Sequence, residues 1–151
     1  MLNDNFYFTF SGEAQNEIYD YLKSLHSYNR VQDARLLDTE ECPTFAREVE
    51  EIRKEVEVGK RIVIVKPFTD LHNKYTILEQ RTISWLIGGV LGEALIQNEA
   101  GDKVICVYDR DRKNSMTKGA RYHQTREGGS IHTDNVNVPY HWEYLLLTCI
   151  N

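Results

Sequence analysis

The chain contains few cysteines, and their arrangement argues against two kinds of small protein. Its three cysteines, Cys42, Cys106 and Cys149, include no Cys-x-x-Cys pair and so lack the ligand spacing of a structural zinc site. Because their number is odd, they do not make a complete disulfide framework. Reduced thiols are the simpler interpretation, and we expect a cytoplasmic protein.

The sequence also lacks a segment that would direct it to a membrane. Residues 1–12 have neither a basic start nor a long apolar run, so they do not read as a signal peptide. The longest apolar stretch, residues 83–96, is interrupted by Ser84, Glu93 and glycines, and it is too short to cross a bilayer. We therefore expect no membrane partner.

Positive charge is not in excess. The chain has 18 Lys and Arg against 23 Asp and Glu, which gives a formal net charge of −5. This balance argues against general nucleic-acid binding, because that function requires a basic face. The hydrophobic fraction of 41% and the charged fraction of 27% are those of an ordinary soluble globular protein. A chain of 151 residues normally forms one domain with a sizeable core.

Several catalytic motifs are missing as well. The sequence contains no P-loop, no Gly-x-Gly-x-x-Gly and no Gly-x-Ser-x-Gly, so phosphate-binding loops and the nucleophile elbow are excluded. It contains no His-Glu-x-x-His zinc motif. The chemical motif that remains is a His-x-Asp pair, His132 and Asp134.

His132 and Asp134 form a candidate metal site. If residues 131–134 are extended, side chains two positions apart lie on the same face, so the imidazole and the carboxylate point the same way. Such a pair supplies two of the three ligands in the facial triad that holds non-haem Fe(II). His132 and Asp134 are therefore the predicted catalytic and metal-binding residues. The third ligand, a second histidine, does not obviously follow, and His141 and His123 are the local candidates.

The pair alone is a weak motif. With five histidines and 23 acidic residues in this chain, chance supplies roughly 0.8 His-x-acid matches. A second match is present at His141 and Glu143, beside Pro139 in an aromatic cluster, where a packing role is favoured. Gly128 and Gly129 precede the first pair and predict a bend that leads into a strand. The alternative interpretation of His132 and Asp134 is a structural hydrogen bond.

Hydrophobic periodicity predicts three helices and several strands. The helices are expected at residues 13–26, 38–58 and 75–91, with Ser11 starting the first and Gly92 ending the last. The charged residues of the second helix are expected on a solvated face, namely Glu48, Glu50, Glu51, Arg53, Lys54 and Glu55. A buried strand is expected at 61–66, and further strands at 94–97, 103–108 and 144–149, with a hairpin turn at 98–102.

The segment around the His-x-Asp pair resembles a known enzyme group. The run Gly-Gly-Ser-Ile-His-Thr-Asp (128–134), then Val138-Pro139, then the apolar strand at 144–149, is similar to the region of the first two iron ligands in TauD/TfdA-like Fe(II)/2-oxoglutarate-dependent dioxygenases. These belong to the clavaminate-synthase-like superfamily. The run Gly59–Val65 resembles the family's early strand, and a long helix closing on Leu91-Gly92 follows it. The resemblance covers roughly residues 55–151.

This resemblance implies a fold and an activity. The fold would be α+β, namely the front part of a double-stranded β-helix (jelly roll) with flanking helices and an incomplete barrel. Residues 1–151 would be a single incomplete dioxygenase domain, in which 1–102 are the helical and strand N-terminal part and 103–151 the first jelly-roll strands with the metal motif. The activity would be oxidation, usually hydroxylation, of a small organic substrate, with Fe(II) and 2-oxoglutarate as cofactors. Gln124 would lie on the substrate side of the iron and contact the substrate, and the alternative interpretation is an amide that caps backbone groups.

The chain departs from the family in one respect. The family's distal histidine and its 2-oxoglutarate-binding arginine have no matching positions here, so we expect the isolated chain to be inactive. Three explanations remain open: a truncated enzyme, one half of a split enzyme, or a non-catalytic module that uses an exposed sheet edge for interaction. Because Tyr144–Ile150 would be a bare apolar edge strand, we expect it to pair with the missing C-terminal half, a second chain or another copy of itself.

Overall fold

The computed structural model describes residues 6–107 and 143–150. Contacts divide the chain into two units, one made of residues 1–104 with 146–151 and the other of residues 105–145. The first unit contains the helices and strands, in the order β1 (Tyr7–Phe8), α1 (Gly12–Ser24), a 3₁₀ helix (Val31–Asp33), α2 (Pro43–Glu57), β2 (Ile64–Val65), α3 (Leu71–Lys74) and α4 (Ile77–Leu91).

The helix predictions are confirmed, with shifts at the ends that have local causes. Helix α1 begins at Ser11, whose hydroxyl accepts a hydrogen bond from the Ala14 backbone at 3.2 Å. Helix α2 begins five residues later than expected from the periodicity, because Pro43 occupies its first turn and Cys42 has a non-helical backbone. Gly92 caps the end of α4, as predicted.

Helices α1 and α2 each supply a carboxylate to the other's first turn. Glu17 of α1 accepts hydrogen bonds from the backbone N–H groups of Thr44 at 3.1 Å and Phe45 at 2.8 Å. Glu48 of α2 accepts one from the backbone of Ser11 at 2.9 Å. The prediction that Glu48 faces solvent is therefore wrong, since its side chain is 8% exposed and is buried against the start of α1. This crossed arrangement stabilises helix ends that would otherwise lack partners.

Helix α4 is apolar on several sides, and neighbours cover it. It packs against α2 and the 3₁₀ helix. Trp85 is buried and donates its indole N–H to the carbonyl of Ala34 at 3.1 Å. A methyl group at Gly89 would overlap the end of the Leu36 side chain, which would have to move to make room for it.

The strands are shorter than expected. The predicted strand at 61–66 is present only as Ile64–Val65, and it pairs in parallel with β1 in the register Tyr7 with Ile64 and Phe8 with Val65. Arg61 has a left-handed backbone (φ 67°), which excludes this residue from an extended strand. The residues of β2 are half-buried, so the expectation of a buried strand is also wrong.

The later β-prone runs do not form strands where the structure describes them. The turn at 98–102 is present, because Gly101 donates its N–H to the carbonyl of Asn98 at 3.0 Å and Gln97 donates to that of Asp102 at 2.6 Å. No strand is assigned within residues 94–97, 103–107 or 143–150, so the strand predictions for 94–97 and 144–149 are wrong. These runs have the right composition but no partner strand among the residues that the structure describes, and a strand exists only when its backbone is paired.

The core lies among the helices. Phe10, Ile18, Phe45, Val49 and Leu86 are almost fully buried, and the rings of Phe10 and Phe45 stack with their centroids 5.0 Å apart. Across the described residues, no helix combines the length and apolar character needed to span a membrane.

Candidate functional site

The predicted site residues cannot be placed on this fold. His132, Asp134 and Gln124, together with the candidate third ligands His123 and His141, lie outside the described residues. Their assignment therefore stays a prediction. What can be described is how the chain is held shortly before and shortly after the segment that carries them.

Before that segment, the chain is held to the 3₁₀ helix by one side chain. The amide oxygen of Gln32 accepts a hydrogen bond from the backbone of Lys103 at 2.9 Å, and its amide nitrogen donates to the carbonyl of Gly101 at 3.3 Å. The side chain of Gln32 thus pairs with one backbone N–H and one backbone C=O of a segment that has no regular secondary structure. A neighbouring strand would pair with the same two kinds of group.

After that segment, residues 146–150 run along α4. The hydroxyl of Thr148 donates a hydrogen bond to that of Ser84 at 2.6 Å. A side-chain methyl of Leu146 lies 3.7 Å from the position that a Cβ of Gly88 would occupy, an ordinary van der Waals contact. Ser84 and Gly88 are one turn apart, so they present one face of α4 to this segment.

Helix α4 is fixed at both ends, which makes it a firm support for the segment. Thr76 and Glu79 form a reciprocal capping box at its start, with hydrogen bonds of 3.2 and 2.7 Å. At its end, the guanidinium of Arg53 donates to the carbonyls of Val90 and Leu91, the latter at 2.9 Å. A cation at the helix C-terminus also interacts favourably with the helix dipole.

Glu79 links α4 to α1 through a charge pair. Its carboxylate lies 2.7 Å from the ammonium of Lys23. Partial burial raises the pKa of Glu79, but the hydrogen bonds from Lys23 and Thr76 outweigh it and leave the pKa below its ordinary value. Glu79 is therefore ionised throughout the neutral range.

The cysteines are all free thiols in two different environments. Cys42 is buried, and this burial, with the nearby charges of Glu17 and Glu41, raises the pKa of its thiol to about 11. Because the thiolate is the reactive form, Cys42 is a packing residue rather than a nucleophile. Cys106 and Cys149 are exposed.

Metal-binding groups are absent from the part of the chain that the structure describes. Within residues 6–107 and 143–150, no three His, Cys, Asp or Glu side chains are close enough to hold a metal ion. His26 and His72 are exposed on the surface, as their polar surroundings predict. Glu143, from the second His-x-acid pair, is also exposed.

Sequence reasoning missed the residues that hold the flanking segments. Gln32 gives no sequence signal, because a single glutamine beside a short turn is commonplace. Ser84 gives a weak one, since it is a hydroxyl within the otherwise apolar run Ile83–Leu91. A buried or partly covered hydroxyl in such a run requires a hydrogen-bond partner, and Thr148 supplies it.

Comparison of the chain with protein-family models, curated proteins and solved structures gives no match. The dioxygenase resemblance therefore rests on the residues around His132 and Asp134 and on the order of elements before them.

Proposed function

We propose that this chain carries the iron-binding part of an Fe(II)/2-oxoglutarate-dependent oxygenase that oxidises a small organic substrate, with His132 and Asp134 as metal ligands. The observation that carries the proposal is the spacing of these two residues directly after Gly128–Ile131. The order of elements supports it, since β2 at Ile64–Val65 and the long helix Ile77–Leu91 lie where the resemblance places an early strand and a long helix.

The donor chemistry of the two residues suits Fe(II). His132 offers a neutral imidazole nitrogen and Asp134 an anionic oxygen, the set found in non-haem iron oxygenases. With 2-oxoglutarate, the bound iron would supply the oxidising chemistry, while the protein orients the substrate and excludes water. Gln124 is proposed to contact the substrate through its amide. Three free thiols support a reducing, cytoplasmic location.

No position of this sequence matches the family's distal histidine or its 2-oxoglutarate-binding arginine. We therefore propose that another polypeptide segment or a second, different chain supplies them. The chain by itself is expected to give no 2-oxoglutarate turnover and no metal-to-ligand charge-transfer band when titrated anaerobically with Fe(II) and 2-oxoglutarate. A strong band from the chain alone would show that His141 or His123 completes the triad.

Iron-directed backbone cleavage tests the metal site without requiring activity. The chain is saturated with Fe(II), treated with ascorbate and hydrogen peroxide, and its fragments are measured by mass spectrometry. We expect cleavage concentrated beside residues 132–134. Cleavage that is spread evenly, or concentrated beside His141 and Glu143, contradicts the assignment.

The second His-x-acid pair provides a matched control for this experiment. The variants H132A and D134A should each abolish the localised cleavage, because two ligands bind weakly and one binds more weakly still. The variants H141A and E143A should leave the fragment pattern unchanged. Loss of cleavage in all four variants would indicate a diffuse acidic site instead of the proposed one.

A non-catalytic interaction module is the second candidate, and one observation favours it. Leu145, Leu146 and Leu147 are 61%, 42% and 78% exposed. A run of large apolar side chains in water is typical of a surface that another molecule covers. If the run is an interface between copies, L147S should shift the chain towards monomer in size-exclusion chromatography with light scattering.

Val58 provides the control for that substitution, since it is 81% exposed and lies at the end of α2. The variant V58S removes a similar amount of exposed apolar surface and should leave the oligomeric state unchanged. A chain that is monomeric at every concentration excludes self-association through Leu145–Leu147.

A further inference from the structure

A depression lies between the start of α1 and the segment 69–75. It has a volume of about 500 Å³, which is within the range of small-molecule sites. Gln15, Asn16 and Tyr19 line it from α1, while Thr69, Lys74 and Tyr75 line it from the other side. All of these residues belong to the first unit.

Hydrogen bonds join several of the residues that line this depression. Gln15 donates its amide N–H to the carbonyl of Phe10 at 2.8 Å and accepts the backbone N–H of Thr69 at 2.8 Å. The hydroxyl of Tyr75 donates to the carbonyl of Gln15 at 3.5 Å. Because Gln15 and Tyr75 are already engaged, they shape the depression rather than move to meet a ligand.

Two aromatic rings form one wall. Tyr19 and Tyr75 meet edge to face, with centroids 5.7 Å apart and planes at 80°. Tyr75 is buried, whereas Tyr19 is 37% exposed. An exposed tyrosine supported by a buried one offers a fixed apolar surface with a polar tip.

Polar groups without protein partners surround this wall. Among the described residues, the side chains of Asn16 and Thr69 and the hydroxyl of Tyr19 form no hydrogen bond with one another or with other residues. Together they offer amide and hydroxyl donors and acceptors, which suit the hydroxyl groups of a ligand.

The charges near the depression are mixed. Lys74 lines it and the ammonium of Lys23 lies 5.3 Å from the centroid of the Tyr19 ring, while Asp20 is close enough to Tyr75 to act on its pKa. Burial first, and then the nearby charges, including those of Glu79 and Asp20, raise the pKa of Tyr75. The acidic residues oppose an anionic ligand, and Lys74 opposes a cationic one.

We infer that this depression binds a small uncharged ring that carries several hydroxyl groups, such as a pyranose sugar, with its apolar face against Tyr19 and its hydroxyls towards Asn16 and Thr69. This site is independent of the proposed iron site. A pyranose has one apolar face and a rim of hydroxyl groups. The tyrosine wall would contact the apolar face, and the surrounding amide and hydroxyl groups would hydrogen-bond the rim.

The test is a titration of the ¹⁵N-labelled chain with the methyl pyranosides of glucose, galactose and mannose, followed by NMR. We expect saturable shifts from at least one of them, confined to residues 12–19 and 69–75. Benzoate and benzylamine serve as charged ring probes and should bind more weakly. Tighter binding of either charged probe, or the absence of saturable shifts from all three sugars, overturns the proposal.

Two tyrosine variants sharpen this test. Y19A should weaken sugar binding about tenfold, since it removes an aromatic contact of about 1–1.5 kcal/mol. Y19F keeps the ring and should weaken it less. The control Y7A removes a tyrosine that is 41% exposed on β1 and should not change binding. Equal loss in Y7A and Y19A, with unchanged thermal unfolding, would show nonspecific contact with exposed rings.

Discussion

Residues 6–91 bury many of their apolar side chains, whereas residues 92–107 and 143–150 leave theirs exposed or only partly buried. Every buried residue in the described chain lies between Phe10 and Ile87. Residues 92–107 and 143–150 contain none, although they include exposed Leu95, Ile96, Val107 and Leu147. Apolar composition therefore does not decide burial here. Helical residues are buried because local caps and neighbouring helices fix them, whereas the β-prone residues have no partner strand within residues 6–107 and 143–150 to cover them.

The largest loss of folding stability should come from removing an aromatic side chain of the core. F45A is expected to destabilise the chain by about 3–5 kcal/mol, because Phe45 is fully buried (0% exposed) and stacks on Phe10. L147A, in the later region, should change stability by no more than about 0.5 kcal/mol. Urea unfolding followed by circular dichroism measures both. Similar losses in the two variants would mean that the later region contributes to the same core.

A smaller loss should follow from removing a carboxylate that caps the next helix. E17A leaves the backbone N–H groups of Thr44 and Phe45 without their acceptor, and we expect a loss of about 1–2 kcal/mol. E51A, at an exposed position of α2, is the matched control and should be close to neutral. Equal losses of stability in E17A and E51A would show that the net charge of the chain, rather than the hydrogen bonds of Glu17, determines the effect.

Acidification should weaken the helical region through Glu79. Its pKa is lower in the folded chain than its ordinary value of 4.5, so its contribution is present above that pH and is lost as the pH falls through the folded-state pKa. E79Q should therefore flatten the dependence of stability on pH in the acidic range. The matched variant E51Q should retain that dependence. Unfolding by urea at several pH values below neutrality measures the difference.

The smallest effect should be local to the later region. S84A removes the acceptor of the Thr148 hydroxyl, a contact between exposed side chains, and should cost less than about 1 kcal/mol overall. Its effect should instead appear as faster hydrogen exchange in residues 146–150, with α1 and α2 unchanged. Unchanged exchange in that segment would show that Leu146, rather than Thr148, holds it to α4.

The helices could be predicted because their determinants are local. Ser11, the pair Thr76 and Glu79, and Gly92 lie at the helix ends that they define. Burial of Glu48 could not be predicted, since its partner Ser11 is 37 positions away. The parallel pairing of β1 with β2 is likewise distant in sequence, and the composition of Tyr144–Ile150 does not reveal whether a partner strand exists.

The same contrast between local and distant determinants applies to the candidate sites. Spacing is enough to nominate His132 and Asp134, because two side chains on one face of a strand depend only on local geometry. Their assignment as ligands stays a prediction. The depression beside Tyr19 depends on residues about 56 positions apart, such as Tyr19 and Tyr75, and periodicity carries no information about such a pair.

The crossed carboxylates of Glu17 and Glu48 have a consequence for how this chain tolerates mutation. Each residue sits on one helix and completes the first turn of the other, so neither helix is fully satisfied as an isolated peptide. A double-mutant cycle between positions 17 and 48 should therefore show a coupling energy even though their carboxylates accept hydrogen bonds from different backbone N–H groups. The two helix starts therefore depend on each other. Once one of the two carboxylates has been removed, we expect removal of the other to lower the stability of the chain by less than it does in the unmodified chain.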